Sequence, residues 1–310
     1  MDLLRQLQSH LPPLAVDVIR LSIWLLLLMV IFVPLERMFA VHPHKIFRKS
    51  FPTDLGYYFL NSLLPKMLLV PPIALIAWGL HHVVPGALHS RVASLPLGAR
   101  LAAALVVGEI GFYWGHRWMH EVPLLWRFHA IHHSAEEVDW LVNTRAHPFD
   151  IFFVRLCGLV PMYALGLAQP MMGKRVDLVP LLILLVAALW GFFIHANVRC
   201  RFGWLEWLIS TPGFHHWHHT NDEHTNKNYA SMLPWMDILF GTWYMPKKQW
   251  PTKYGIDAPM PPGLTVQLLQ PFLHDEKAGI PTAAVSPTAP RPSEMETHET
   301  LQGESPMQGS

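Results

Sequence analysis

Between Leu21 and Leu35 the chain carries no charged residue, and the apolar character extends upstream through Leu14–Ile19, interrupted only by Asp17 and Arg20. A segment of this kind fits a bilayer-crossing helix of about 20 residues, because only a helix satisfies its own backbone hydrogen bonds in lipid. A cleaved signal peptide is the competing reading. The segment lacks a basic leader, however, and Pro34-Leu35-Glu36-Arg37 follows it in place of a small-residue cleavage site. It reads as a retained first span.

Four further apolar stretches follow. Leu55–Val84 contains Lys66 and Pro71-Pro72 and is longer than one crossing needs, so it is either a kinked helix or a hairpin of two half-helices. Leu97–Trp114 runs directly into His116. Ile151–Leu167 and Leu178–Ala196 are separated by a polar link with Lys174 and Arg175. Overall, 51% of residues are hydrophobic and only 15% charged, well below the ~25% charge of a soluble domain. Thirteen Trp and sixteen Phe fit aromatic belts at membrane interfaces. The net charge of +1 gives no sign of a nucleic-acid partner. The only cysteines, Cys157 and Cys200, have neither metal-ligand spacing nor the number for a disulfide framework.

Basic residues orient the chain. Arg37, Lys45, Arg48 and Lys49 follow the first span; Arg127 and Arg145 lie in the Arg117–Arg155 segment; Arg199, Arg201, Lys227, Lys247, Lys248 and Lys253 follow the fifth. With Leu55–Val84 taken as one crossing, these segments share a side, and the positive-inside rule makes it cytoplasmic. Arg5, Arg91, Arg100, Lys174 and Arg175 fall on the other side. The expected fold class is an all-α polytopic membrane helix bundle with a cytosolic-facing, histidine-rich helical cap. Its divisions are N-terminal transmembrane helices over 1–96, a catalytic domain over 97–254, a C-terminal extension over 255–277 and a disordered tail over 278–310. The tail is rich in Pro, Thr, Ser, Ala and Glu and has no apolar periodicity.

Twelve of the twenty histidines fall between His116 and His224. They form His116-x-x-x-His120, His129-x-x-His132-His133 and His215-x-x-His218-His219, with His195 closing the fifth apolar run. Helical positions i, i+3 and i+4 share a face, so each cluster can aim two or three imidazoles at one point. Neutral imidazole binds zinc, copper and iron. Nine donors exceed what one ion uses, whereas two metals with four or five nitrogen ligands each account for them. His216 points about 100° away from His215 and is left outside the ligand set. His147 and His224 are single candidates for a ligand or a supporting donor. Glu109, Asp139, Asp222 and Asp237 are candidate acceptors for the second ring nitrogen of a ligand. His10, His42, His44, His81, His82, His89, His274 and His298 lack paired spacing and read as surface residues.

The segments Glu109-x-x-Phe112-Tyr113-Trp114-x-His116-Arg117-x-x-His120, Trp126-x-Phe128-His129-Ala130-Ile131-His132-His133-Ser134 and Thr211-Pro212-x-Phe214-His215-x-x-His218-His219 resemble the histidine boxes of the fatty acid hydroxylase superfamily, which includes sterol desaturases and hydroxylases. Asn228-Tyr229 and Trp235-Met236-Asp237-x-Leu239-Phe240-Gly241-Thr242 are similar to the superfamily's closing segment. Glu109 stands where the family more often has Asp, and Ala230 where it usually has Gly. The resemblance runs from about Leu97 to Tyr254. It implies two irons, with zinc possible in the same ligands, O2 as co-substrate and hydroxylation or desaturation of a sterol, fatty acyl or related lipid. The nine ligands would be His116, His120, His129, His132, His133, His195, His215, His218 and His219. The chain has no Gly-x-Gly-x-x-Gly loop and no haem- or flavin-binding segment. An external electron donor is therefore implied, a ferredoxin or a cytochrome b5-like protein with its reductase. Lys247, Lys248 and Lys253 suit such docking but read first as topology residues. Competing classes are a membrane zinc-dependent lipid hydrolase, a metal-binding or transport protein and a haem cytochrome. Nine clustered histidines are too many for the last, and a transporter would place them at mid-span.

Overall fold

The computed structural model describes residues 11–168 and 178–273. Among these, every regular element is helical, apart from an isolated bridge between Thr220 and Tyr254. The chain runs α1 (Pro13–Phe39), α2 (Phe51–Leu63), α3 (Pro65–Val83), α4 (Gly86–Ala93), α5 (Leu97–Glu121), α6 (Pro123–His133), α7 (Pro148–Ala164), α8 (Leu178–His195), α9 (Pro212–His218), α10 (Trp235–Leu239) and α11 (Leu264–Leu269). Short 3₁₀ turns lie at Trp140–Thr144, Gly203–Trp207 and Gln270–Phe272.

Among the described residues, three helices are long and apolar enough to cross a membrane: α1, α5 and α8. They correspond to the first, third and fifth of the expected spans. The Leu55–Val84 stretch is divided between α2 and α3 at Leu64-Pro65, while Pro71 and Pro72 sit inside α3. The break falls at Pro65 because that ring denies α2 its next backbone N–H. The Ile151–Leu167 stretch forms α7, a helix of 17 residues that carries Asp150 and Arg155 and packs against α5. The 169–177 link, the 278–310 tail and His10, His274 and His298 lie outside the described residues, as does the side chain of His81.

The α5–α7 contact sets the geometry of the site. Gly108, Gly111 and Gly115 share a face of α5 and let α7 approach until backbones touch. A Cβ on Gly111 would fall 2.1 Å from the carbonyl oxygen of Cys157. Small residues at this spacing allow close helix contact where lipid-like surroundings give little hydrophobic drive.

Buried polar groups fix the opposite side. Glu36, near the end of α1, accepts hydrogen bonds from the backbone N–H groups of Trp140 (2.8 Å) and Asn197 (2.9 Å). The Asn197 side chain accepts from the N–H groups of Val41 and His42. Arg48 grips Asp139 with two parallel bonds of 2.8 and 2.7 Å and also pairs with Asp54, which in turn holds Arg145. These charges are buried, so removing one partner strands another and costs about 3–5 kcal/mol.

Gly111→Ala is expected to destabilise the protein by about 2–3 kcal/mol, since a rigid carbonyl must move to admit the methyl group. Gly79→Ala, where a Cβ meets nothing within 4 Å, should leave stability equal or slightly higher. Thermal unfolding of the two variants in detergent checks this; equal melting temperatures would refute the close-contact account.

Candidate metal centre

The nine histidines arrive from four helices and their ends. His116 and His120 lie on the last two turns of α5, and α6 begins at once with Pro123 to carry His129, His132 and His133. His195 is the last residue of α8. Helix α9 starts at Pro212, where Thr211 Oγ1 caps Phe214 N–H, and delivers His215, His218 and His219. All nine are buried, none more than 7% exposed.

They form two groups rather than three. His116, His120, His129, His133 and His218 offer one set of donor nitrogens; His132, His195, His215 and His219 offer the other. Within each set the donors lie within 4.8 Å of one another. The expectation that each cluster aims at a single point is therefore corrected. In both triplets the i and i+4 rings go to one group and the i+3 ring crosses to the other. Each His-His dipeptide thus spans the two groups, which interlocks them.

The hydrogen bonds at the far side of the rings decide the tautomers. Nδ1 of His116 donates to the Tyr229 carbonyl (2.7 Å), His132 to Arg145 (2.8 Å), His195 to Gly191 (2.7 Å) and His218 to Lys227 (2.9 Å). Nδ1 of His129 donates to the Asp150 carboxylate at 2.9 Å. A carbonyl only accepts, so the neutral rings of His116, His132, His195 and His218 have their proton on Nδ1 and a bare lone pair on Nε2. Nε2 of His116 lies 3.1 Å from Nε2 of His129, and Nε2 of His132 faces Nε2 of His195 at 3.3 Å. In the His132–His195 pair, lone pair meets lone pair with no proton available between them. The Nε2 atoms of His195, His215 and His219 form a triangle with edges of 2.9, 3.1 and 3.2 Å. Among the described residues, neither nitrogen of His133, nor Nε2 of His218, has a hydrogen-bond partner. Donors about 2.1 Å from one metal ion stand roughly 3.0–3.4 Å apart, so the spacing fits bound cations.

Protonation cannot relieve this repulsion near neutral pH. Burial, joined by the neighbouring His129, pushes His132 down to about 4, and burial pushes His133, His215, His218 and His219 well below the ordinary histidine value.

The expected supporting carboxylates do other work. Asp139 caps the 140–144 turn and binds Arg48. Glu109 accepts from the N–H groups of Met232 and Leu233. Asp237 accepts from Tyr229 N–H (2.7 Å), Ala230 N–H (2.9 Å) and the Thr242 hydroxyl (2.7 Å), and so holds the strand of chain whose Tyr229 carbonyl orients His116. Asp222 pairs with His224, which stacks on Tyr244 away from both groups. The acid that touches a ring of the centre is Asp150, which is not among the four expected acceptors. His147 is not with the nine; its Nδ1 accepts from Phe149 N–H as the cap of α7. His216 also stands outside both groups, fully buried between the Tyr254 hydroxyl (2.7 Å) and the Ala196 carbonyl (3.1 Å). His42 and His82 are exposed; His44 and His89 are half-buried.

Above the centre lies a cavity of about 360 Å³. His116, His129, His132, His195 and His215 line it, together with apolar residues of α5, α7 and α8 such as Leu105, Val154, Leu159, Met162, Ile183 and Ala187.

Residues 101–242 match the family model for fatty acid hydroxylase. Ornithine lipid hydroxylase OlsE of Rhizobium tropici is 38% identical over 57% of this chain and 51% of its own length. Human alkylglycerol monooxygenase is 29% identical over 49% of this chain and 32% of its own. A putative Delta(7)-sterol-C5(6)-desaturase 2 of Arabidopsis thaliana is 27% identical over 47% and 48%. The chain thus spans about half or less of the length of these relatives. No solved structure matches it.

Metal-free protein is expected to lose stability as the pH falls from about 6.5 to about 4. Burial holds the folded His132 and His216 at about 4 against a usual 6.5, so across that window the unfolded chain binds more protons than the folded one. Urea titrations at pH 7 and pH 5 check the sign; an unchanged midpoint would contradict it.

Proposed function

We propose that this chain is a membrane-bound, O2-dependent non-haem di-iron oxidoreductase that hydroxylates a C–H bond of a lipid. The observation that carries the reading is the set of imidazole nitrogens facing one another in two groups at the base of an apolar cavity. The match to the fatty acid hydroxylase family model supports it, and so do relatives named for lipid hydroxylation, monooxygenation and desaturation. His116, His120, His129, His133 and His218 would hold one iron; His132, His195, His215 and His219 would hold the other. When bound, the two irons would supply dioxygen activation for oxidation of an unactivated C–H bond.

The chain's own residues prepare that chemistry. Carbonyls of Tyr229, Arg145, Gly191 and Lys227 fix ring orientation, and the Asp150 carboxylate adds negative charge behind His129, making its Nε2 a better donor. Leu159, Met162 and Ile183 offer a lipid chain a surface to bury while excluding water from the reacting bond. Electrons would come from a separate protein, a ferredoxin or a cytochrome b5-like donor with its reductase. The basic residues that follow the apolar runs support a cytoplasmic position for the centre in a multi-pass protein.

Lipid profiling of cells with and without the gene should show one lipid class gaining a single oxygen, and His132→Ala should abolish the gain. A loss of two hydrogens instead would mean desaturation, and an unchanged lipidome would refute the oxidative reading. Metal analysis of purified protein should find iron. Asp150→Asn should weaken iron retention by about 10–100-fold against a chelator, whereas His147→Ala should retain it; zinc with O2-independent turnover would overturn the proposal.

A further inference from the structure

The cavity above the histidines contains one side chain that the oxidation chemistry does not require. Arg155 lines it, on the same face of α7 as Ile151, Leu159 and Met162. Arg155 is half-buried there, and among the described residues no hydrogen bond or ion pair reaches its guanidinium. The two carboxylates that line the cavity are already engaged, Glu109 with the N–H groups of Met232 and Leu233, and Asp150 with His129. The fully buried arginines differ sharply: Arg48 and Arg145 are both tied to aspartates.

A guanidinium cannot shed its proton to escape an apolar setting, and an unpaired cation there is strongly unfavourable. An anion on a molecule entering the cavity would pair with it. A planar fork of N–H donors matches the two oxygens of a carboxylate or phosphate. Ser62 and Asn143 line the same cavity. A molecule filling this space therefore needs an apolar body for α5, α7 and α8 and an oxyanion for Arg155.

We propose that Arg155 binds an oxyanion group, carboxylate or phosphate, on the lipid that is oxidised, and so selects anionic lipids over neutral ones. The inference rests on the cavity being the lipid-oxidation site. Its test, however, reads binding and not turnover. Full-length protein in neutral detergent is titrated with palmitate, hexadecyl phosphate and the uncharged methyl palmitate, with complexes counted by native mass spectrometry. Inorganic phosphate serves as a competitor.

The wild type should bind the two anionic probes about ten-fold more tightly than the ester, the scale of one charge-assisted hydrogen-bond pair. Arg155→Gln should bring acid and ester within two-fold of each other, while Arg155→Lys keeps most of the preference and shows that the fold tolerates change here. Equal binding of acid and ester by the wild type, or an undiminished preference in Arg155→Gln, would overturn the proposal. So would displacement of palmitate by inorganic phosphate at matching concentration, because the site would then recognise a free anion. Anionic preference without any O2-dependent product would instead strike the oxygenase reading and leave the binding role of Arg155 in place.

Discussion

The structure depends on keeping nine buried imidazoles packed together with ring nitrogens directed at one another. Burial removes water that would otherwise hydrate each nitrogen, and the far-side carbonyls and Asp150 pin protons on Nδ1, away from the meeting point. Left alone, such an arrangement is repulsive; bound cations would turn the unfavourable contacts into ligand bonds. The remaining architecture can be understood as the frame that holds the rings in place before any metal arrives.

That frame has two kinds of support. On the α5–α7 side it is steric: glycines let two backbones touch, which sets α5, the helix of His116 and His120, against α7, the helix of Asp150. On the other side it is electrostatic. The Arg48–Asp54–Arg145 chain and the Asp139 pair lock the loop whose Arg145 carbonyl orients His132. A third support is the Asn228–Thr242 segment. Asn228 takes a left-handed backbone (φ 60) and its amide bonds the carbonyls of Phe214 and Tyr244, while Asp237 ties Tyr229 and Ala230 down. The motif residues there serve geometry rather than ligation.

The cavity and the centre then divide the chemistry between them. The histidines would supply reactivity with no preference for one lipid over another, while the walls and Arg155 would supply selection.

The sequence alone determined which side chains share a helix face. The spacing of His129, His132 and His133 and of His215, His218 and His219 is a property of one helix turn, and the run Leu21–Leu35 is apolar whatever it packs against. The family resemblance extended that local pattern to nine residues and a reaction class. Only the tertiary structure decided how the rings divide into five and four, because His132 meets His195 across 63 residues of chain and the division depends on the angle at which α6, α8 and α9 meet. It also decided that Asp150 supports a ring while Asp139, Glu109 and Asp237 hold backbone, since a carboxylate's partner is set by packing and not by its neighbours in sequence. Arg155 reads in the sequence as one more basic residue near a membrane edge. The fold made it a cation without a partner, because it placed α7 so that this side chain enters a cavity whose only carboxylates were already taken.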